Sequence, residues 1–221
     1  HSSPDGEGGF PGTLDVTARY ELTGPSELTL TYEAKTDRPT IVNLTNHAYF
    51  NLAGARGGDV LGHRLTVAAD AFLPTDESSI PTGEIRPVDG TPFDFRRPHS
   101  FGARIRDAAD TQILRGRGYD HCFVLRDGGA ATPAFAARVE EEATGRALEL
   151  FTTAPGLQVY SGNFLDGATA GKGGRAMRQS DGFCLEPQLY PDAPNQPSFP
   201  SARLDPGQTF RQVSIYRFQT I

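Results

Sequence analysis

Several side chains in this sequence combine reactive chemistry with an unusual setting. Glu186 stands inside Gly182-Phe183-Cys184-Leu185-Glu186-Pro187-Gln188, an apolar run where an unpaired charge is costly. Desolvation there raises a carboxylate's pKa and suits it to general-base work. The competing account is a buried ion pair with one of the arginines. His121 opens another apolar run, Asp120-His121-Cys122-Phe123-Val124-Leu125. A histidine at a strand end is placed to reach a cleft, and its unperturbed pKa of about 6.5 lets it give or take protons near neutrality. Asp120 either orients that ring or caps the preceding turn. Asn46 and His47 fall in Asn43-Leu44-Thr45-Asn46-His47-Ala48-Tyr49-Phe50-Asn51-Leu52, where amides, an imidazole and aromatic rings crowd together like the lining of a sugar site. A core histidine satisfied by backbone is the alternative. Asp166, in Tyr160-Ser161-Gly162-Asn163-Phe164-Leu165-Asp166-Gly167, is either a turn residue or a pair of acceptors for sugar hydroxyls.

Other chemistries fit less well. His47, His121 and Glu186 would make a two-histidine, one-carboxylate metal site, but no H-x-D, H-E-x-x-H or C-x-x-C spacing supports it. Gly171-Lys172-Gly173-Gly174 lacks the Walker arrangement of a phosphate loop, and no G-x-S-x-G nucleophile elbow is present.

Strands must position these groups. From Leu14, the apolar residues Leu14, Val16, Ala18, Tyr20 and Leu22 alternate with Asp15, Thr17, Arg19 and Glu21, the pattern of a strand with one buried face. After Gly24-Pro25 the alternation resumes with Leu28, Leu30, Tyr32 and Ala34 inward, which predicts a hairpin. Short strand-like runs recur at 40–44, 64–68, 121–125, 135–139, 147–152, 157–160, 183–188 and 210–218, separated by turn-forming Asp-Gly and Thr-Gly pairs. Helix candidates are short, around 100–103 and 108–114. The stretch 72–101 contains Pro74, Pro81, Pro87, Pro92 and Pro98 and reads as a stiffened surface excursion, since proline is excluded from central strands. The class is mainly β, with two packed sheets, in one domain over residues 1–221.

Composition sets outer limits. The 221 residues carry 21 basic and 27 acidic side chains, a formal charge of −6, which argues against a nucleic-acid partner. No apolar run approaches the roughly 20 residues that a bilayer span needs. Cys122 and Cys184 do not make a disulfide framework and fit reduced thiols in a cytoplasmic protein. The start, His1-Ser2-Ser3-Pro4, has neither an initiating Met nor a signal-peptide pattern and reads as a processed or shortened beginning.

Taken in order, S-P-D-G-E-G-G-F-P-G from Ser3, N-L-T-N-H-A-Y-F-N-L from Asn43, D-H-C-F from Asp120, S-G-N-F-L-D-G from Ser161 and G-F-C-L-E-P-Q from Gly182, with P-D-A-P-N-Q after it, resemble the aldose 1-epimerase (galactose mutarotase) family. The resemblance implies a large antiparallel β-sandwich of the mutarotase type and interconversion of α and β anomers of hexoses such as glucose and galactose. It implies Glu186 as the base that takes the anomeric proton and His121 as the acid that protonates the ring oxygen. His47 would bind near the ring oxygen, and Asn46 and Asp166 would hold the sugar. No cofactor or metal is implied. Family members carry an upstream segment with a substrate-contacting arginine that has no counterpart here, so a truncated, non-catalytic carbohydrate-binding chain is the alternative.

Overall fold

The computed structural model describes residues 1–55, 57–171 and 173–221. Lys172, in the glycine-rich stretch without a phosphate-loop arrangement, lies outside them. Among the described residues, strands dominate and form two large antiparallel sheets. One has eight strands in the order Ser2–Ser3, Leu14–Gly24, Glu27–Thr36, Phe210–Thr220, Arg146–Thr152, Ala134–Glu141, Arg64–Val67 and His99–Ser100. The other has six, in the order Tyr49–Phe50, Phe183–Gln188, Gly156–Tyr160, Asp120–Leu125, Ala69–Phe72 and Arg86–Pro87.

Alternating side chains from both sheets make one core. Leu65, Val67, Val139, Leu148, Leu150 and Tyr216 from the larger sheet meet Phe72, Phe123, Leu157, Val159, Phe183 and Leu185 from the smaller. Each such buried side chain contributes about 1.5–3 kcal/mol relative to exposure. The opposite face of the six-stranded sheet is covered over part of its area by a second cluster, where Leu73 and Cys122 pack with Tyr190, Ala193, Phe199 and Ala202. The uncovered remainder of that face holds the site.

The hairpin forms as its pattern requires, with Leu14 opposite Thr36 and Gly24 opposite Glu27. Its first strand departs from the expected burial. Tyr20 and Leu22 are 57% and 85% exposed, because nothing in the described chain packs over that end of the strand. The proline-rich stretch also differs from a surface excursion. It runs from the edge of the smaller sheet at Arg86–Pro87 to the edge of the larger at His99–Ser100. On the way it buries Val88, Phe93, Phe95 and Phe101 completely or nearly so. Proline confines the segment's pairing to short strands at the sheet edges, and its aromatic residues close one side of the sandwich.

The helix Thr111–Gly116 is capped by Asp110, whose carboxylate accepts from the backbone N–H groups of Gln112 and Ile113 at 2.8 and 3.1 Å. Among the described residues, no helix is long and apolar enough to cross a membrane.

Candidate active site

Sheet register decides which side chains can meet. Cys122 pairs with Gln158, and Gln158 pairs with Glu186, so these three project from one face. His121 pairs with Val159, and Val159 with Leu185, which puts the imidazole on the opposite face. The expected facing pair of His121 and Glu186 therefore does not occur. His121 is 1% exposed and lies edge-on to Phe93, ring centroids 4.6 Å apart, between the two sheets.

His121 is fully satisfied there as a neutral ring. Its Nε2 lies 3.0 Å from Gln112 Oε1, and its Nδ1 accepts from the Asp120 backbone N–H at 3.3 Å. Gln112 Nε2 donates to the Thr75 carbonyl at 3.0 Å, which fixes Oε1 as the acceptor and places the imidazole proton on Nε2. Burial, with a smaller contribution from Arg86, holds the His121 pKa down at about 3. This is a core histidine.

His47 is the imidazole that faces Glu186. Its Nε2 lies 3.7 Å from Glu186 Oε1, with the His47 side chain 53% exposed and the Glu186 side chain 8%. The loop that carries it is fastened by asparagines. Asn43 pairs with both backbone groups of Leu189, accepting from its N–H at 2.9 Å and donating to its carbonyl at 3.1 Å. Asn46 accepts from the Ala48 N–H at 3.0 Å and donates to the Tyr20 hydroxyl at 3.3 Å, so it shapes the turn and does not line the cavity. The ring of His47 stacks on Tyr49 at 5.2 Å and meets Tyr160 edge-on at 6.0 Å.

His47, Asp120, Gln158, Glu186 and Gln188 line a cavity of about 230 Å³. Burial, and then the charge of Asp120, push the Glu186 pKa from 4.5 up to about 7. Among the described residues, no arginine or lysine lies within ion-pair distance of Glu186, which decides against the buried ion pair. Asp120 is also raised by burial, opposed by a hydrogen bond from Gln158 and by the charge of His47. Gln158 Nε2 donates to Asp120 Oδ1 at 2.7 Å, and Gln158 Oε1 is buried without a partner among the described residues. An acceptor left open in a polar cavity is a place for a ligand hydroxyl.

Asp166 stands apart. It is exposed, at the start of the small strand Asp166–Ala170, and accepts from the Ala168 N–H at 2.8 Å as turn residues do. The Ser161–Asn163 segment is scaffolding. Asn163 donates to the carbonyls of Gly116 and Tyr119 at 2.6 and 2.9 Å and fixes the start of the Asp120–Leu125 strand. Gly118, at φ +137°, permits this, since a Cβ there would lie 2.5 Å from Asn163 Oδ1. The site residues that pattern reading passed over are Gln158 and Gln188. Gln158 carries a signal, as a lone amide within Gly156-Leu157-Gln158-Val159-Tyr160.

Fold and cavity together define a β-sandwich protein with a carboxylate and an imidazole paired in a small polar cleft. The aldose 1-epimerase family profile matches residues 1–217, and the chain belongs to that family. It is 48% identical to the galactose mutarotase of Rattus norvegicus over 216 residues, 98% of this chain and 60% of that protein. It is 41% identical to the aldose 1-epimerase of Escherichia coli strain K12 over 219 residues, 98% of this chain and 62% of that one. The GalM/aldose epimerase homologue of C. elegans superimposes with a TM-score of 0.87 at 30% identity, covering 100% of this chain and 64% of that chain. For the galactose 1-epimerase of Lactobacillus acidophilus the values are 0.84, 32%, 100% and 61%. The chain thus spans about 60% of the length of the curated relatives it matches.

Proposed function

We propose that the chain carries the acid–base centre of an aldose 1-epimerase, with Glu186 as base and His47, in place of His121, as acid. The single observation that carries this reading is the 3.7 Å approach of His47 Nε2 to Glu186 Oε1 inside a polar cavity. In a cyclic hexose the anomeric hydroxyl and the ring oxygen are bonded to the same carbon. A base and an acid a few ångströms apart can therefore each reach one of them. Glu186 withdraws the proton of the anomeric hydroxyl while His47 delivers one to the ring oxygen. The C1–O5 bond breaks, leaving an open-chain aldehyde. Rotation about C1–C2 presents the other face of the carbonyl, and closure with the proton transfers reversed gives the second anomer. Both transfers take place on oxygen, and positioned acid–base groups supply about 10²–10⁴-fold each.

The remaining groups suit a sugar. Gln158 Oε1 and the Asp120 carboxylate offer acceptors to hydroxyls, and Tyr49 and Tyr160 flank the imidazole. Two buried, unpaired cysteines support a reducing, cytoplasmic setting as part of the same proposal.

The test is polarimetry. The purified chain accelerates the loss of optical rotation of fresh α-D-glucose or α-D-galactose, and Glu186→Gln abolishes the acceleration. Hexose binding by calorimetry without any acceleration would select instead a non-catalytic carbohydrate-binding chain.

A further inference from the structure

The cleft face of the Phe183–Gln188 strand carries a group that proton transfer leaves unused. Cys184 lies two residues before Glu186, so both side chains project from the same face. It is buried, and it is in no disulfide. Its Sγ, a His47 imidazole nitrogen and a Glu186 carboxylate oxygen all lie within 4.8 Å of one another. We propose that His47, Cys184 and Glu186 form a binding site for a borderline-soft divalent cation, Zn²⁺ foremost, inside the candidate active site.

The donor set selects the ion. One sulfur, one imidazole nitrogen and one carboxylate oxygen suit zinc better than magnesium or calcium, which favour oxygen alone. Zinc holds sulfur at about 2.3 Å, imidazole nitrogen at about 2.0–2.1 Å and carboxylate oxygen at about 2.0–2.2 Å, which sets a tetrahedral nitrogen and oxygen roughly 3.3–3.5 Å apart and each roughly 3.5–3.7 Å from the sulfur. The 3.7 Å from His47 Nε2 to Glu186 Oε1 is about 0.2–0.4 Å longer than that nitrogen–oxygen spacing. The closure that remains falls to His47, whose half-exposed side chain sits on a loop and can turn. Three protein ligands leave a fourth position open to water.

Binding displaces the Cys184 proton to solvent. Burial, with the charge of Glu186 after it, holds that thiol's pKa high, so the empty site keeps its proton. A coordinated dication reverses this and leaves thiolate. Affinity therefore rises with pH. An ion held here occupies the Glu186 oxygen that must take a proton and the His47 nitrogen that must carry one for epimerisation, so ion and sugar exclude one another. Coordination itself needs only the three side chains and does not depend on the chain being active.

Cys122 supplies the control. It projects from the same face of the sheet and borders the same cavity, yet it stands outside the ligand group and packs with Leu73 and Tyr190. The metal-free chain, kept reduced with a non-chelating reductant, is titrated with Co²⁺ and followed by absorption. The expected result is one ion per chain with a thiolate-to-cobalt charge-transfer band, bleached by added Zn²⁺. The band is lost in Cys184→Ser and kept in Cys122→Ser. Calorimetric Zn²⁺ affinity falls at least about tenfold in Cys184→Ser, the lower end of what even supporting groups cost a metal site. Should Cys184→Ser fail to fold by circular dichroism, His47→Ala makes the same test at a half-exposed position, with the same loss of affinity expected. Absence of a thiolate band in the folded chain, a band that survives Cys184→Ser, a band that disappears with Cys122→Ser, or unchanged Zn²⁺ affinity in His47→Ala overturns the site.

Discussion

The two faces of the six-stranded sheet treat a histidine in opposite ways. On the inner face, His121 is sealed among Phe72, Phe93 and Gln112, uses both ring nitrogens in hydrogen bonds, and is held neutral by burial. On the outer face, His47 is half exposed, stacks on a tyrosine and points Nε2 at a carboxylate. In sequence, His47 lies in a motif crowded with amides and His121 opens an apolar run behind an aspartate. What separates them is whether a reacting molecule can reach the nitrogen. Proton transfer needs contact, and only the outer face offers it.

The largest expected effect sets the outer face apart. Glu186→Gln lowers mutarotation by about 10²–10⁴-fold in a polarimetric assay. The same change makes the fold more stable at high pH. The Glu186 pKa is raised from 4.5 to about 7 in the folded chain, so its favourable contribution is complete below about pH 4.5 and is lost as pH climbs through about 7. Removing the charge should recover about 1–3 kcal/mol at pH 8, measured as a shift in denaturant midpoint relative to the unmodified chain. A rate loss accompanied by a stability loss at pH 8 would mean that Glu186 is a structural carboxylate.

The inner face should show the converse. His121→Phe costs about 1–3 kcal/mol of stability through the lost bond to Gln112. It leaves the folded protein's rate within about threefold. Because the His121 pKa is lowered to about 3, the neutral ring's contribution is present above about pH 6.5 and is lost as pH falls toward 3. Acid unfolding should be less steep in His121→Phe, followed by circular dichroism from pH 7 to pH 3. An unchanged acid limb would remove His121 from the core account.

Activity has its own pH signature. The base must be ionised, so the rate falls as pH drops below about 7, and Glu186→Gln removes that limb along with the activity. Asp166→Ala is the smallest effect. An exposed turn residue away from the cavity should change neither hexose affinity by calorimetry nor stability by more than about 0.5 kcal/mol.

Much of this contrast was legible in the strands and little of it in the motifs. Period-two alternation located the hairpin at Gly24-Pro25 and most of the later strands, because half-buried sheets impose that pattern wherever one face is covered. It misjudged Tyr20 and Leu22, since alternation reports a face able to be buried and not whether something covers it. Glu186 was conspicuous for a physical reason, a charge in a wholly buried strand. His121 stood out equally in sequence, but its face depends on register with Gly156–Tyr160, which no local pattern encodes. Counting outward from Glu186 through Gln158 to Cys122 puts residue 121 inside, and only the paired strands supply that count. Asp120, read either as orienting His121 or as capping the preceding turn, is one residue away and faces the cavity for the same reason. The aromatic residues of the proline-rich stretch carried a warning. Phe93, Phe95 and Phe101 have no place on a surface, although proline pattern alone sent them there.

The most direct measurement compares two single substitutions, His47→Gln and His121→Gln, in one polarimetric mutarotation assay at pH 7, each at a folded fraction verified by circular dichroism. Loss of at least about a hundredfold in His47→Gln, with His121→Gln within about threefold of the unmodified chain, is the expected result. A comparable loss in His121→Gln with His47→Gln unimpaired would contradict it and return the acid role to the inner face.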